Sequence, residues 1–101
     1  MKSGLIAILV ALVFSTPAAA AVSGYYDSVE KIGTILGSAQ LANILHQAPI
    51  GMISNTGARK DGAQEWLVRT QECDLTVYLV PVLPDGPGKT TYSLEIPGTC
   101  D

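Results

Sequence analysis

Histidine occurs once in this sequence, at position 46, and cysteine only twice, at positions 73 and 100. A metal centre needs three or four converging His, Cys or carboxylate ligands, and a dithiol redox centre needs two closely spaced thiols; neither set is present, so no metal and no cofactor is expected. Positive charge is scarce as well: six Lys and Arg stand against nine Asp and Glu, and only Arg59-Lys60 are adjacent. Neutralising a phosphate backbone takes clustered cations, so nucleic acid is not an expected partner, and there is no basic helix for a membrane surface. The apolar run Leu5 to Phe14 is about half the ~20 residues that a spanning helix requires. A length of 101 residues leaves room for one small domain and excludes a multidomain enzyme.

What is present begins with an export pattern. Met1, Lys2 and Ser3 give a short positive start, Leu5 to Phe14 the apolar segment, and Ser15 to Ala21 a stretch ending in small residues. This is the arrangement of a bacterial-type signal peptide over residues 1–20, cleaved after Ala20 or, alternatively, Ala21. No Cys follows it to carry a lipid anchor. The expected mature product, residues 21–101, is one small α+β domain in the periplasm or the exterior, without a stable membrane anchor. Loss of Lys2 leaves Lys31, Arg59, Lys60, Arg69 and Lys89 against nine acids, a formal net charge of −4. In an oxidising compartment a small core gains from a cross-link, so Cys73 and Cys100 are expected to form a disulfide.

Between Asp27 and Ala48 the apolar residues Val29, Ile32, Ile35, Leu36, Ala39, Leu41, Ile44, Leu45 and Ala48 recur at helical spacing. Asp27 or Ser28 can cap the start. Gly37-Ser38 interrupts the stripe, which changes phase there, so the spacing predicts a kinked helix or two short ones, stopped by Pro49.

From Gly51 onward β-branched and aromatic residues dominate, divided by the turn-forming stretches Arg59-Lys60-Asp61-Gly62, Gln71-Glu72-Cys73-Asp74 and Pro84-Asp85-Gly86-Pro87-Gly88. Four strands are expected, at about 51–57, 64–71, 74–83 and 89–96. Antiparallel partners have a constant sum of residue numbers, so each turn fixes a register. A last hairpin centred on Gly86-Pro87 has the sum 173, which aligns Leu79 with Leu94 and Cys73 with Cys100. A middle hairpin centred on Glu72-Cys73 has 145, placing Trp66 opposite Leu79 and Leu67 beside Tyr78. The first, turning at 59–62, has 121 and sets Ile53 opposite Val68. The resulting four-stranded antiparallel meander carries Ile53, Trp66, Val68, Leu75, Val77, Leu79, Tyr92, Leu94 and Ile96 on one face, and the helical segment must cover it.

The opposite face carries an apolar stripe of Leu67, Tyr78, Val80 and Val82, with Arg69 and Glu95 at its margin. Tyr among aliphatics with a polar rim has the composition of an interface centre, so Leu67, Arg69, Tyr78, Val80 and Val82 are the candidate contact residues, with cover by residues 21–26 as the alternative. No catalytic group stands out. His46 sits near an expected helix C-terminus and Asp27 and Glu30 in a first helical turn, where their charges suit the helix dipole. Glu72 and Asp74 read as turn residues. Neither Gly33-Thr34-Ile35-Leu36-Gly37 nor Asp85-Gly86-Pro87-Gly88-Lys89-Thr90-Thr91 has the spacing and following helix of a phosphate loop. The pattern therefore points to a small exported inhibitor, adaptor or accessory factor that binds another protein or a second copy of itself. A small secreted hydrolase and a homo-oligomeric structural component are the alternatives.

Overall fold

A computed structural model of the chain describes residues 23–100; the signal segment expected over residues 1–20 and its expected cleavage point lie outside them. The order is α1 (Gly24–Leu36), α2 (Ala39–Ile44), then β1 (Ile50–Ala58), β2 (Gln64–Thr70), β3 (Asp74–Val82) and β4 (Thr91–Glu95). The strands form one antiparallel sheet in the order β1-β2-β3-β4, and the two helices lie on one side of it. This is the α+β arrangement that the patterning implies.

α1 begins one turn earlier than the apolar stripe suggested. Ser23, not Asp27 or Ser28, is its N-cap, and the Ser23 hydroxyl accepts a hydrogen bond from the Tyr26 N–H. Asp27 instead occupies the first turn, where its carboxylate complements the positive helix end. The break at Gly37-Ser38 is as expected: Gly37 closes α1, and the Ser38 hydroxyl caps α2 by accepting from the Leu41 N–H. A Cβ on Gly37 would stand 2.9 Å from the Gly33 carbonyl oxygen, which is why no larger residue fits there.

α2 stops at Ile44, well before Pro49. Gln47 N–H donates to the Ala42 carbonyl and His46 N–H to the Asn43 carbonyl, the crossed pair of bonds that closes a helix through a left-handed residue. His46 (φ 55°) and Gln47 (φ 57°) both occupy that region although neither is glycine.

The first hairpin keeps the sum 121 through its centre, with Ile53 opposite Val68, and slips by one at each end through irregularities at 50–52 and 55–57. Its turn closes by Gly62 N–H to the Arg59 carbonyl, with Gly62 at φ 94°. The last hairpin has the sum 173 throughout. The middle one does not have 145: Trp66 faces Val77, not Leu79, and Leu67 faces Thr76, not Tyr78, a sum of 143. Thr70 is the cause. Its hydroxyl accepts from the N–H groups of both Glu72 and Cys73, and its own N–H donates to the Cys73 carbonyl, so the chain reverses at Gln71-Glu72. A displacement of two residues changes partners and preserves faces. The core therefore contains the expected Trp66, Val68, Leu75, Val77 and Leu79, closed by Ile35, Leu41 and Leu45 from the helices, with Ile53, Tyr92, Leu94 and Ile96 at its margin.

Cys73 and Cys100 are joined. After β4, Pro97 cannot donate to a ladder. Residues 96–100 nonetheless keep the alternation, with Ile96, Gly98 and Cys100 turned inward and Pro97 and Thr99 outward. A Cβ at Gly98 would reach the Leu75 side chain at 3.4 Å, so the segment lies against the start of β3.

Candidate interaction surface

The outer face of the sheet is organised around a row that crosses three strands: Glu65 of β2, Tyr78 of β3 and Glu95 of β4 are direct neighbours. Over this row lies Arg59, from the turn between β1 and β2. Its guanidinium carbon is 4.6 Å from the centre of the Tyr78 ring, in cation–π contact. One nitrogen donates to Glu95 Oε1 at 2.7 Å, while Nε and the other terminal nitrogen donate to the two oxygens of Asp61 at 3.1 and 2.7 Å. The Tyr78 hydroxyl donates to Glu65 Oε2 at 3.3 Å, and the Thr56 hydroxyl donates to Glu65 Oε1 at 2.9 Å. Hydrogen bonds from Arg59 and from the Ala63 N–H hold the Asp61 carboxyl below its usual range, and Asp61 and Glu95 in turn push Arg59 further up. Arg59 and Asp61 are therefore charged at neutral pH.

Residues singled out by the sequence fall as follows. Leu67, Tyr78 and Val80 are half-buried on this face, and Val82 is 46% exposed. Next to Val82, Leu83 is 75% exposed in the β3–β4 loop. Arg69 is on the face too, but it is not the cation beside Tyr78. It faces Asp74 across the β2–β3 pair and forms two hydrogen bonds with that carboxylate, at 2.7 and 2.8 Å. The cation at the centre is Arg59, which appeared in the sequence only as a turn residue. A long side chain just past the end of a strand can fold back over the sheet, and an Arg placed one residue before a Lys-Asp-Gly turn is the available signal. Of the segment 21–26 expected as alternative cover, residues 23–26 open α1 on the other side of the sheet, and residues 21–22 lie outside the described residues.

The two carboxylates of α1 have structural partners. Asp27 pairs with Lys31 at 2.9 Å and accepts from the Tyr92 hydroxyl at 2.9 Å. The Lys31 hydrogen bond, opposed by burial and aided by Tyr92, brings the Asp27 carboxyl below its usual range. Burial first, and then the Asp27 carboxylate, push the Tyr92 phenol up to about 12. Glu30 pairs with Lys89 at 2.8 Å. His46 is exposed on its left-handed turn. Among the described residues no three His, Cys, Asp or Glu side chains gather in a way that could hold a metal ion, and no helix is long and apolar enough to cross a membrane.

A second apolar surface lies on α1, away from the sheet. Tyr25 (71% exposed), Tyr26, Val29 (51%) and Leu36 (53%) are open to solvent, and Tyr25, Val29, Ile32, Gly33 and Leu36 line a shallow groove there. The helical periodicity had grouped Val29 and Leu36 with Ile35 in one apolar stripe. The sheet accepts only one edge of so wide an apolar arc, and Ile35 takes that place.

No protein-family model matches this chain, and neither a curated protein nor a solved structure is measurably similar to it.

Proposed function

We propose that this is an exported, disulfide-bonded binding protein that acts as an inhibitor, adaptor or accessory factor by docking its outer sheet face onto another protein. The observation that carries this reading is the fixed Arg59–Tyr78 stack with Glu65 and Glu95 on either side. Tyr and Arg are the residue types that most often dominate binding energy, and side chains already immobilised lose little entropy when a partner arrives. The half-buried Val80 and the more exposed Val82 extend an apolar strip from that stack toward the β3–β4 loop.

Charge indicates the kind of partner. On this face Arg59 and Arg69 stand against Asp61, Glu65, Asp74 and Glu95, and both arginines are already paired within the chain. The complementary surface is an apolar or aromatic centre with a basic rim, approached by electrostatic steering that weakens with salt. Export is consistent with the disulfide and with the N-terminal sequence pattern.

The test is the double substitution Tyr78→Ser with Val80→Ser. Both side chains are only half-buried on a face opposite the core, so the fold and the disulfide should survive. A basic partner that binds the native protein with an on-rate falling steeply with salt should be lost to the variant. Unchanged binding by a variant of native circular dichroism would show that contact is made elsewhere.

A further inference from the structure

We infer that the exposed face of α1 is a self-docking surface, on which two copies of this chain pair through antiparallel α1 helices about a two-fold axis passing between Glu30 and Lys31. This inference does not depend on the role of the outer sheet face, which lies on the opposite side of the sheet from α1.

The spacing of the apolar residues on this face carries the argument: Tyr25, Val29 and Leu36 are exposed, and Ile32 between them is half-buried. Tyr25, Val29, Ile32 and Leu36 follow one another at intervals of four, three and four, the seam spacing of two helices packed side by side. A seam with this spacing is self-complementary when inverted. In antiparallel pairing with a constant residue sum of 61, Tyr25 meets Leu36 of the second copy and Val29 meets Ile32, and each contact occurs twice, as a two-fold axis requires. No charged residue interrupts the seam. Asp27 and Lys31 are directed toward Tyr92 of the sheet, and Glu30 is drawn off to Lys89. Helix dipoles in this arrangement are antiparallel, which favours the pair.

Gly33 is the second, independent observation. Within a helix, glycine is markedly less favourable than alanine, and nothing among the described residues requires it here, since an added Cβ would meet no atom within 4 Å outside its own stretch of helix. It lies beside Ile32 on the exposed side and leaves a notch that the Val29 side chain of a second copy can enter. Exposed side chains of Tyr25, Tyr26, Val29, Leu36 and the neighbouring Ile50 offer on the order of 500 Å² per copy. A symmetric pair then buries roughly 1,000 Å², at the lower limit for a specific interface. The expected dimer is weak, with a dissociation constant on the order of 10 µM.

Sedimentation equilibrium of the disulfide-intact protein should show a monomer–dimer equilibrium in that range, insensitive to salt. Tyr25→Glu and Leu36→Lys, both at exposed positions, should each keep native circular dichroism and each be monomeric, because a homodimer would bury unpaired charge. Mixed in equal amounts they should dimerise again, since one layer becomes a Glu–Lys pair and the other stays native. Restoration on mixing is the outcome that a merely sticky surface would not give. A native protein that stays monomeric to 1 mM, variants that dimerise as before, or a mixture no more associated than its components would each overturn the inference. So would a monomer whose Tyr25 is shielded by residues 1–22 or occupied by a different protein.

Discussion

Breaking the disulfide with Cys73→Ser and Cys100→Ser together should cost this domain a large part of its stability. The bond joins residues 27 positions apart, and for a closed loop of that size the chain-entropy relation gives about 3–4 kcal/mol at 25 °C. A domain of ~80 residues is expected to have only about 4–12 kcal/mol in total. With a conversion of about 4–8 °C per kcal/mol, the melting temperature should fall by roughly 12–32 °C. The loss has a local component that the structure defines. Residues 96–100 lie against the start of β3 beyond the last ladder pair, Tyr78 with Glu95, so the bond to Cys73 is what anchors their end. Without it, amide exchange at Leu75 and Val77 should accelerate more than at Val68 in β2, which lies between two paired strands. Urea unfolding followed by circular dichroism measures the first effect, and exchange read by NMR the second. A loss below 1 kcal/mol, or uniform acceleration across β2 and β3, would refute the view that the bond restrains both the unfolded chain and the terminal segment.

Four further outcomes follow from individual residues. Replacing His46 by Gly relieves a left-handed residue with a side chain and should stabilise the domain by about 0.5–1 kcal/mol, after the added entropy of the unfolded chain; a lower urea midpoint would count against the turn geometry. Trp66→Ala should cost about 3–5 kcal/mol because the ring is buried among Leu, Ile and Val side chains, whereas Leu67→Ser on the outer face should cost much less; equal losses would mean that the faces are interchanged. The depressed Asp27 carboxyl contributes stability at neutral pH that is lost as pH falls below about 4 through its folded-state pKa, and Asp27→Asn should flatten that acid limb. The raised Tyr92 phenol acts at the other end: its contribution is complete below pH 10 and is lost between there and about 12, a decline that Tyr92→Phe should remove from alkaline urea midpoints.

The sheet was legible because its determinants are local. Period-2 alternation fixed both faces, and the Asp-Gly and Pro-Gly turns fixed two of three registers, the cysteine pair included. The middle register was not legible from hydrophobicity, because sums of 143 and 145 put the same residues in the core. What decided it was the Thr70 hydroxyl accepting two turn N–H groups, a contact that carries no periodic signal. The Gly37-Ser38 break was readable from cap chemistry, whereas the early end of α2 was obscured by two left-handed residues of types that seldom adopt that conformation. On the outer face the apolar stripe was visible as an excess of Leu and Val on β3. Its organising cation was not, since Arg59 reaches Tyr78 from a turn nineteen positions away in sequence. The opened face of α1 was hidden for a different reason. Periodicity shows that an arc is apolar, and only the sheet's width shows how much of the arc it can cover.

The central claim is that contact with another protein is made by the outer face of the sheet. Photo-cross-linking from position 82, exposed at the margin of that face, tests it most directly, with position 40 on exposed α2 as the control. The account predicts cross-links to a basic partner protein from position 82 and none from position 40, abolished by Tyr78→Ser with Val80→Ser. Cross-links from position 40 alone, or cross-links from position 82 that survive the double substitution, would contradict it.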